Sequence, residues 1–425
     1  MSTARFVRPL LVFAAAATGA IAASAPPSSW SFHPTLAGRV GYDDNVFLQD
    51  RSPLLPGVVS PVPDRAGSWF VRTSATLDAT WKVSPALRLD LGYGAELVRY
   101  DEFSSENHTD HHLDLGLGGR SGAWSYQFKT SLLVVDGEDT SPVFGHAGGT
   151  PAIGGADVRA RRDQFNAKLG GNLTRSFDTG FVRAVGNVNA QDFQTKHSAA
   201  TGYANYVDRS EWTVGLEGGR YVRKDFAVVA GVRAGEQKQA DLLGLARNYS
   251  NTLTRFLVGV EGRPRSDLQL AILGGPDLRH YSRDVAAGFN RTQSARYLEA
   301  SATWTPRAAD TVTFTAKDYL WLSSGGRCAY QNTAANLKWK HTFNADWSAS
   351  LAADTQVGDS RDYTVTASQR FDWIYTGVAG VTRNLGTKTK LDLELTREWS
   401  DSPIDAKPGR EYTHWLASVG VRRVF

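Results

Sequence analysis

Hydrophobic and polar residues alternate one by one over long stretches of this chain. From Trp69 to Val83, one set is Trp69, Val71, Thr73, Ala75, Leu77, Ala79, Trp81 and Val83, and the other is Phe70, Arg72, Ser74, Thr76, Asp78, Thr80 and Lys82. A period of two belongs to an extended strand, whose side chains point to opposite faces in turn, whereas a helix repeats at about 3.6 residues. The last stretch behaves alike. Phe425, Arg423, Val421, Val419, Ala417, Trp415 and Thr413 share one face, and Val424, Arg422, Gly420, Ser418, Leu416, His414 and Tyr412 the other. One greasy face with an aromatic near each end, backed by a polar or small face, suits a β-barrel wall between lipid and a wet interior.

The rhythm recurs from a first strand at roughly Thr35 to Phe47 through to the C-terminal one and predicts about eighteen strands, an even number as in bacterial barrels. Only the parity of Trp373 to Val381 is contested, because Ile374 and Val378 compete for the apolar face. Connections alternate between short (Arg120 to Ala123, Pro306 to Asp310, Thr342 to Asp346) and long (Gln49 to Ser68, Gly137 to Arg162, Thr195 to Arg209). That is the rim asymmetry of a membrane barrel, with both chain ends on the short-turn, periplasmic side. Trp81, Trp124, Phe226, Trp304, Trp339, Trp347 and Phe425 carry apolar-face parity close to short turns or to the end, where amphipathic rings meet the headgroup level. We therefore expect an all-β, transmembrane, antiparallel up-and-down barrel.

Composition changes this picture only at the start. Arg5 and Arg8 precede an apolar run from Pro9 through Ala23 with Ala20-Ile21-Ala22 as a cleavage site, which predicts a signal peptide over residues 1–22, a short segment over 23–34 and the barrel over 35–425. No later stretch reaches about 18 consecutive apolar residues, the length of a transmembrane helix. The formal charge of the 425 residues is +4, and loss of the two leader arginines brings it to +2, so nucleic acid is not an expected partner. Cys328 is the single cysteine, has no internal partner and reads as a loop residue.

Inward parity gives the candidate pore lining: Arg39, Arg72, Lys82, Arg88, Glu96, Lys129, Lys168, Arg183, Glu217, Arg233, Arg255, Glu261, Arg279, Lys317, Lys338 and Arg422. With Asp43, Asp78, Asp90, Asp114, Glu211, Asp277, Glu299, Asp354, Asp372, Asp392 and Glu394 also inward, the signs nearly balance, which predicts weak ion selectivity. Equally, these charges can pair across strands to hold a wet wall together. The loop Gly137 to Arg162, third in order, is a candidate to fold inward and narrow the pore.

Other constellations carry little chemistry. His108, His111 and His112, beside Asp110 and Asp114, are spaced too loosely for a metal site and read as a solvated loop. His280 and His414 have no identifiable base partner, and Gly116-Leu117-Gly118-Gly119 is strand and turn rather than a phosphate loop. No catalytic residue, metal or cofactor is expected.

The stretch Gly41-Tyr42-Asp43-Asp44-Asn45-Val46-Phe47 resembles the opening of the β-barrel porin 2 family, whose members are outer-membrane barrels, some accompanying exopolysaccharide biosynthesis. The ending Val419-Gly420-Val421-Arg422-Arg423-Val424-Phe425 resembles the signal read by the barrel assembly machinery, except that Arg423 takes an outward position where an apolar residue is usual. The resemblance implies a barrel among outer-membrane lipid and lipopolysaccharide. The expected role is a channel for small polar solutes, with a conduit for exopolysaccharide as the alternative and a non-transport adhesin or structural barrel as a third reading.

Overall fold

The computed structural model describes residues 29–48, 65–84, 86–138, 162–194, 207–241, 249–282, 285, 289–322, 328–362, 369–401 and 412–425. Eighteen strands form one sheet: β1 (Ser29–Asp43), β2 (Ser68–Ser84), β3 (Leu87–Tyr100), β4 (His108–Ser121), β5 (Trp124–Glu138), β6 (Arg162–Phe177), β7 (Gly180–Phe193), β8 (Arg209–Arg223), β9 (Phe226–Gln239), β10 (Asn251–Arg265), β11 (Leu268–Tyr281), β12 (Thr292–Arg307), β13 (Asp310–Leu322), β14 (Cys328–Thr342), β15 (Trp347–Asp362), β16 (Gln369–Asn384), β17 (Thr389–Asp401) and β18 (Tyr412–Val424). Every strand pairs antiparallel with its sequence neighbours, and β1 also pairs with β18, from Thr35↔Val424 to Asp43↔Leu416. The sheet is thus a closed up-and-down barrel with no open edge along that seam.

Short turns join the strands at one rim. Gly122 in the β4–β5 turn and Gly386 in the β16–β17 turn take φ of 58° and 125°, a backbone region that side chains other than glycine enter poorly. At the other rim the strands run into the long connections.

The outward face is apolar and is left exposed by the described residues: Leu216 is 65% exposed, Val258 63%, Leu36 55% and Leu351 51%. A continuous belt of this kind calls for lipid as its solvent. Aromatics bound the belt at both ends. On the short-turn side Trp81 stacks on Trp30 at 4.8 Å, and the indole N–H groups of Trp304 and Trp339 donate to Asp267 and Asp310, each at 3.0 Å. Trp124, Trp347 and Phe425 lie under the guanidinium groups of Arg175, Arg383 and Arg423. Phe226 opens β9 on the same outward parity. On the long-loop side sit Trp69 against Tyr42, the stack Trp373–Tyr375–Trp399, and Trp415 under Arg397. From Trp415 to Phe425 along β18 is ~34 Å at ~3.4 Å per residue, or ~25 Å of height at a tilt near ~45°, the height of an outer-membrane apolar band.

Three expectations change, and one contest is settled. The first strand starts at Ser29 instead of Thr35, and its early part pairs with β2 alone, Trp30 opposite Trp81. Cys328 opens β14 and is not a loop residue. His108, His111 and His112 lie in β4, so neighbours in sequence point to opposite faces and cannot converge on a metal. In β16 the contest is settled for Trp373 and Val381, 37% and 38% exposed on the outside, while Ile374 packs inside.

Candidate functional site: the lumen and its infolded hairpin

All sixteen expected lining residues from Arg39 to Arg422 share the parity opposite to the apolar belt, and the wall treats them in two ways. Along β7–β12 the charges are drawn into two ion-pair clusters. Arg183 reaches Glu217 at 2.6 Å and Glu261 at 2.7 Å, and Arg233 joins the same Glu217 to Glu299 at 2.7 Å. Arg255 binds Asp277 at 3.0 Å and Glu211 at 3.3 Å, with Arg279 also on Asp277, at 2.6 Å. Arg183 and Glu261 stand three strands apart, as do Arg233 and Glu299, and side chains span that distance only across a tightly concave wall. Glu217 is 2% exposed and Asp277 0%. Each buried carboxylate is met by guanidinium donors, as burial of charge requires.

Elsewhere, apart from the buried Asp43, the described inward charges are at least partly exposed. Lys82, Arg88, Lys129, Lys168, Lys317 and Lys338 are exposed. Arg39 pairs with Glu394 at 2.9 Å, Arg72 with Glu96 at 3.3 Å, Arg88 with Asp90 at 2.7 Å and Arg422 with Asp392 at 3.5 Å, all partly open to water. Both signs are interspersed along this part of the wall.

The mouth is narrowed by an element that the alternation did not single out. Pairing of β12 with β13 runs up the wall as far as Leu298↔Asp318 and stops, yet β13 continues with β14 to Leu322↔Ala329. Past Asp318, while β14 stays paired with β15 as far as Cys328↔Asp362, the upper end of β13 therefore parts from β12 and turns inward. Its free edge docks on lumen side chains of other strands: Gln237 of β9 and Arg279 of β11 donate to the Leu320 carbonyl at 3.1 and 3.4 Å, and Arg209 of β8 donates to that of Leu322. Leu320 and Leu322, each 1% exposed, pack with Tyr249, Tyr281 and Ala295 against the inner wall. The opposite face of the tip carries Trp321 and Tyr330, with Tyr319 and Ile374 beside them. On the β12 side the carbonyl of Arg296, which has lost its strand neighbour, accepts from Gln331 at 3.0 Å; Asp318 takes both Gln331 and the Arg296 guanidinium. The carbonyls of Arg296, Leu320 and Leu322, released by this separation, have thus found side-chain donors. The loop Gly137 to Arg162, expected to narrow the pore, lies almost entirely outside the described residues.

The Gly41 to Phe47 motif proves to be a clasp between the first and last strands. A Cβ on Gly41 would stand 2.5 Å from the Phe70 ring, so only glycine fits beneath that ring. Asp43 accepts from the Asn45 backbone at 2.9 Å and lies 2.8 Å from His414. Asp44 accepts the Trp415 N–H at 2.6 Å and pairs with Arg65, and Asn45 donates to the Thr413 carbonyl at 2.8 Å. His414 thus has the acidic partner that sequence did not identify, because that partner lies 371 positions away in the chain. Asp43, Asp44 and His414 bring ligand atoms within 4.8 Å of one another, but those atoms already serve the clasp. In β4, the His111 ring bonds outward to Tyr93 at 2.9 Å while His112 pairs inward with Asp114 at 2.9 Å. In the β10–β11 turn, desolvation would raise the Asp267 carboxyl, but bonds from Trp304 and Arg265 outweigh it and hold it below the ordinary carboxylate range.

A closed barrel with an apolar belt, two aromatic rims and a charged, partly wet inner face is a transmembrane β-barrel. No family model matches the chain, and no curated protein does. Among solved structures, the chain is similar to the outer membrane protein OpdK of Pseudomonas aeruginosa (9% identity, 93% of this chain and 99% of that one, TM-score 0.42) and to a BenF-like porin of Pseudomonas fluorescens Pf-5 (11%, 93% and 99%, 0.44). It is similar to the same degree to the siderophore receptor PirA of Acinetobacter baumannii (6%, 93% and 80%, 0.43). Likeness at this level adds nothing to the closure that the strand pairing itself establishes.

Proposed function

We propose that the protein is an outer-membrane channel that passes small polar solutes with weak ion selectivity. One observation carries the reading: Lys82, Lys129, Lys168 and Lys338 point into the barrel and remain exposed. A dry interior would force such ammonium groups into pairs or penalise them by several kcal/mol, so a wall that leaves them uncovered is a wet one. The mixture of signs around them produces no strong field of either kind, hence the weak selectivity. Export of a bulky neutral polymer would need the β13–β14 tip withdrawn from the mouth, and we prefer solute passage for that reason. On this reading the outward belt meets lipid and lipopolysaccharide, and β18, with Phe425 outward, is the segment the barrel assembly machinery takes up. No catalytic role is assigned to any residue. Purified protein in planar bilayers tests the reading: discrete conductance steps with a reversal potential near zero in a KCl gradient are expected, and a bilayer that stays sealed at every voltage sinks it.

A further inference from the structure

We propose that the β13–β14 tip is a two-position gate, latched inward in the structure described and able to zip back onto β12. The inference rests on the channel reading and on the hydrogen-bond bookkeeping of one edge. The β12–β13 ladder ends at Leu298↔Asp318; continued in the same register it would bring Arg296 opposite Leu320 and Ser294 opposite Leu322. Gln331 approaches the Arg296 carbonyl from the side where β13 would lie, so Arg296 directs its backbone groups towards the vacated position. The Leu320 carbonyl, held by Gln237 and Arg279, is the acceptor that would face it. The Arg296 and Leu320 carbonyls are therefore satisfied in either position, once through side-chain donors and once through backbone donors, and for these groups the exchange changes little in hydrogen-bond energy. The leucines oppose opening. Inward, Leu320 and Leu322 are buried against Tyr249 and Tyr281; zipped onto β12 they would share the outward parity of Leu298 and Phe314. Small free-energy differences between two complete arrangements are what a switchable element needs.

The second position predicts a contact the first forbids. Ala295 packs with Leu320 and Leu322 on one face of the tip, and Trp321 lies on the other with Tyr330. Zipped, Ala295 and Trp321 become direct opposites in a non-hydrogen-bonded pair, ~4.5 Å between Cα atoms, within disulfide reach. The test uses full-length Ala295→Cys/Trp321→Cys protein with Cys328→Ser, reconstituted in lipid, with the two single-cysteine variants as controls. Oxidant is expected to form the 295–321 disulfide in heat-modifiable, folded barrels, to raise single-channel conductance at least twofold, and to lose both effects on reduction. Adding Gln237→Ala should speed cross-linking several-fold by removing one latch. Folded barrels that never cross-link overturn the second position, and cross-linked barrels of unchanged conductance overturn the gate. Because the disulfide is read by mass and gel mobility, a protein that cross-links but never conducts removes the channel reading while leaving the movement of the tip established.

Discussion

The carboxylate of Asp43 lies 2.8 Å from Nε2 of His414, across the line where the last strand of the barrel meets the first. Around this contact Asp44 and Asn45 hold the backbone of Trp415 and Thr413, so the β1–β18 seam is secured at the long-loop rim by side chains as well as by strand pairing. Asn45→Ala leaves the Thr413 carbonyl without its donor and is expected to cost ~1–2 kcal/mol. The measurement is the temperature at which the folded gel band converts to the unfolded one, lowered for Asn45→Ala and little moved for a substitution of exposed Glu102.

Glu217 separates Arg183 from Arg233 in the buried network. Its replacement by alanine leaves Arg183 on Glu261 alone and Arg233 on Glu299 alone, and should destabilise the barrel by ~1–3 kcal/mol. Lys168→Ala, on the open part of the wall, should stay within ~0.5 kcal/mol. Urea unfolding in lipid vesicles compares the two, and equal effects would contradict the division of the inner wall into paired and open charges.

Ion selectivity should answer to the open charges. Lys129→Glu with Lys168→Glu changes the lumen by four negative units and should move the reversal potential in a KCl gradient towards cation preference. Raising salt from 0.1 to 1 M contracts the screening length from ~10 to ~3 Å and should shrink the shift. A reversal potential unmoved at low salt would mean that solutes do not pass these residues.

The two aromatic belts make a depth prediction. Lipids brominated near the headgroup should quench tryptophan emission more than lipids brominated near the acyl terminus, since Trp69, Trp124, Trp304, Trp347 and Trp415 lie at the ends of the apolar band. Stronger quenching by the deep label would move the belt away from the bilayer interfaces.

Much of this architecture was legible in the alternation alone. Which side of Trp69 or Val421 meets lipid follows from parity, and the girdle from Trp81 to Phe425 follows from parity plus distance to a turn. Three features were not legible, for definite reasons. Ser29 to Pro34 alternates, Trp30 and Phe32 against Ser29, Ser31 and His33, but the run is short and ends on Pro34, and the strand there is held by β2 and the Trp30–Trp81 stack. The partnership of His414 with Asp43 depends on ring closure, which no local window contains. At the infolded tip the alternation gives way to four apolar residues in a row, Tyr319, Leu320, Trp321 and Leu322; such a run reports that both faces of a strand are covered, but not that the strand has turned out of the wall. That run, with Gln331 and Asp318 as polar residues on the otherwise apolar parity, was the available signal.

The unequal treatment of the inner surface has an evolutionary consequence. Substitutions among Arg183, Glu217, Arg233, Arg255 and Asp277 must arrive as compensated sets, whereas Lys82, Lys129, Lys168 and Lys338 can be exchanged singly without endangering the cylinder. One sector is a keel, and the rest is free to drift.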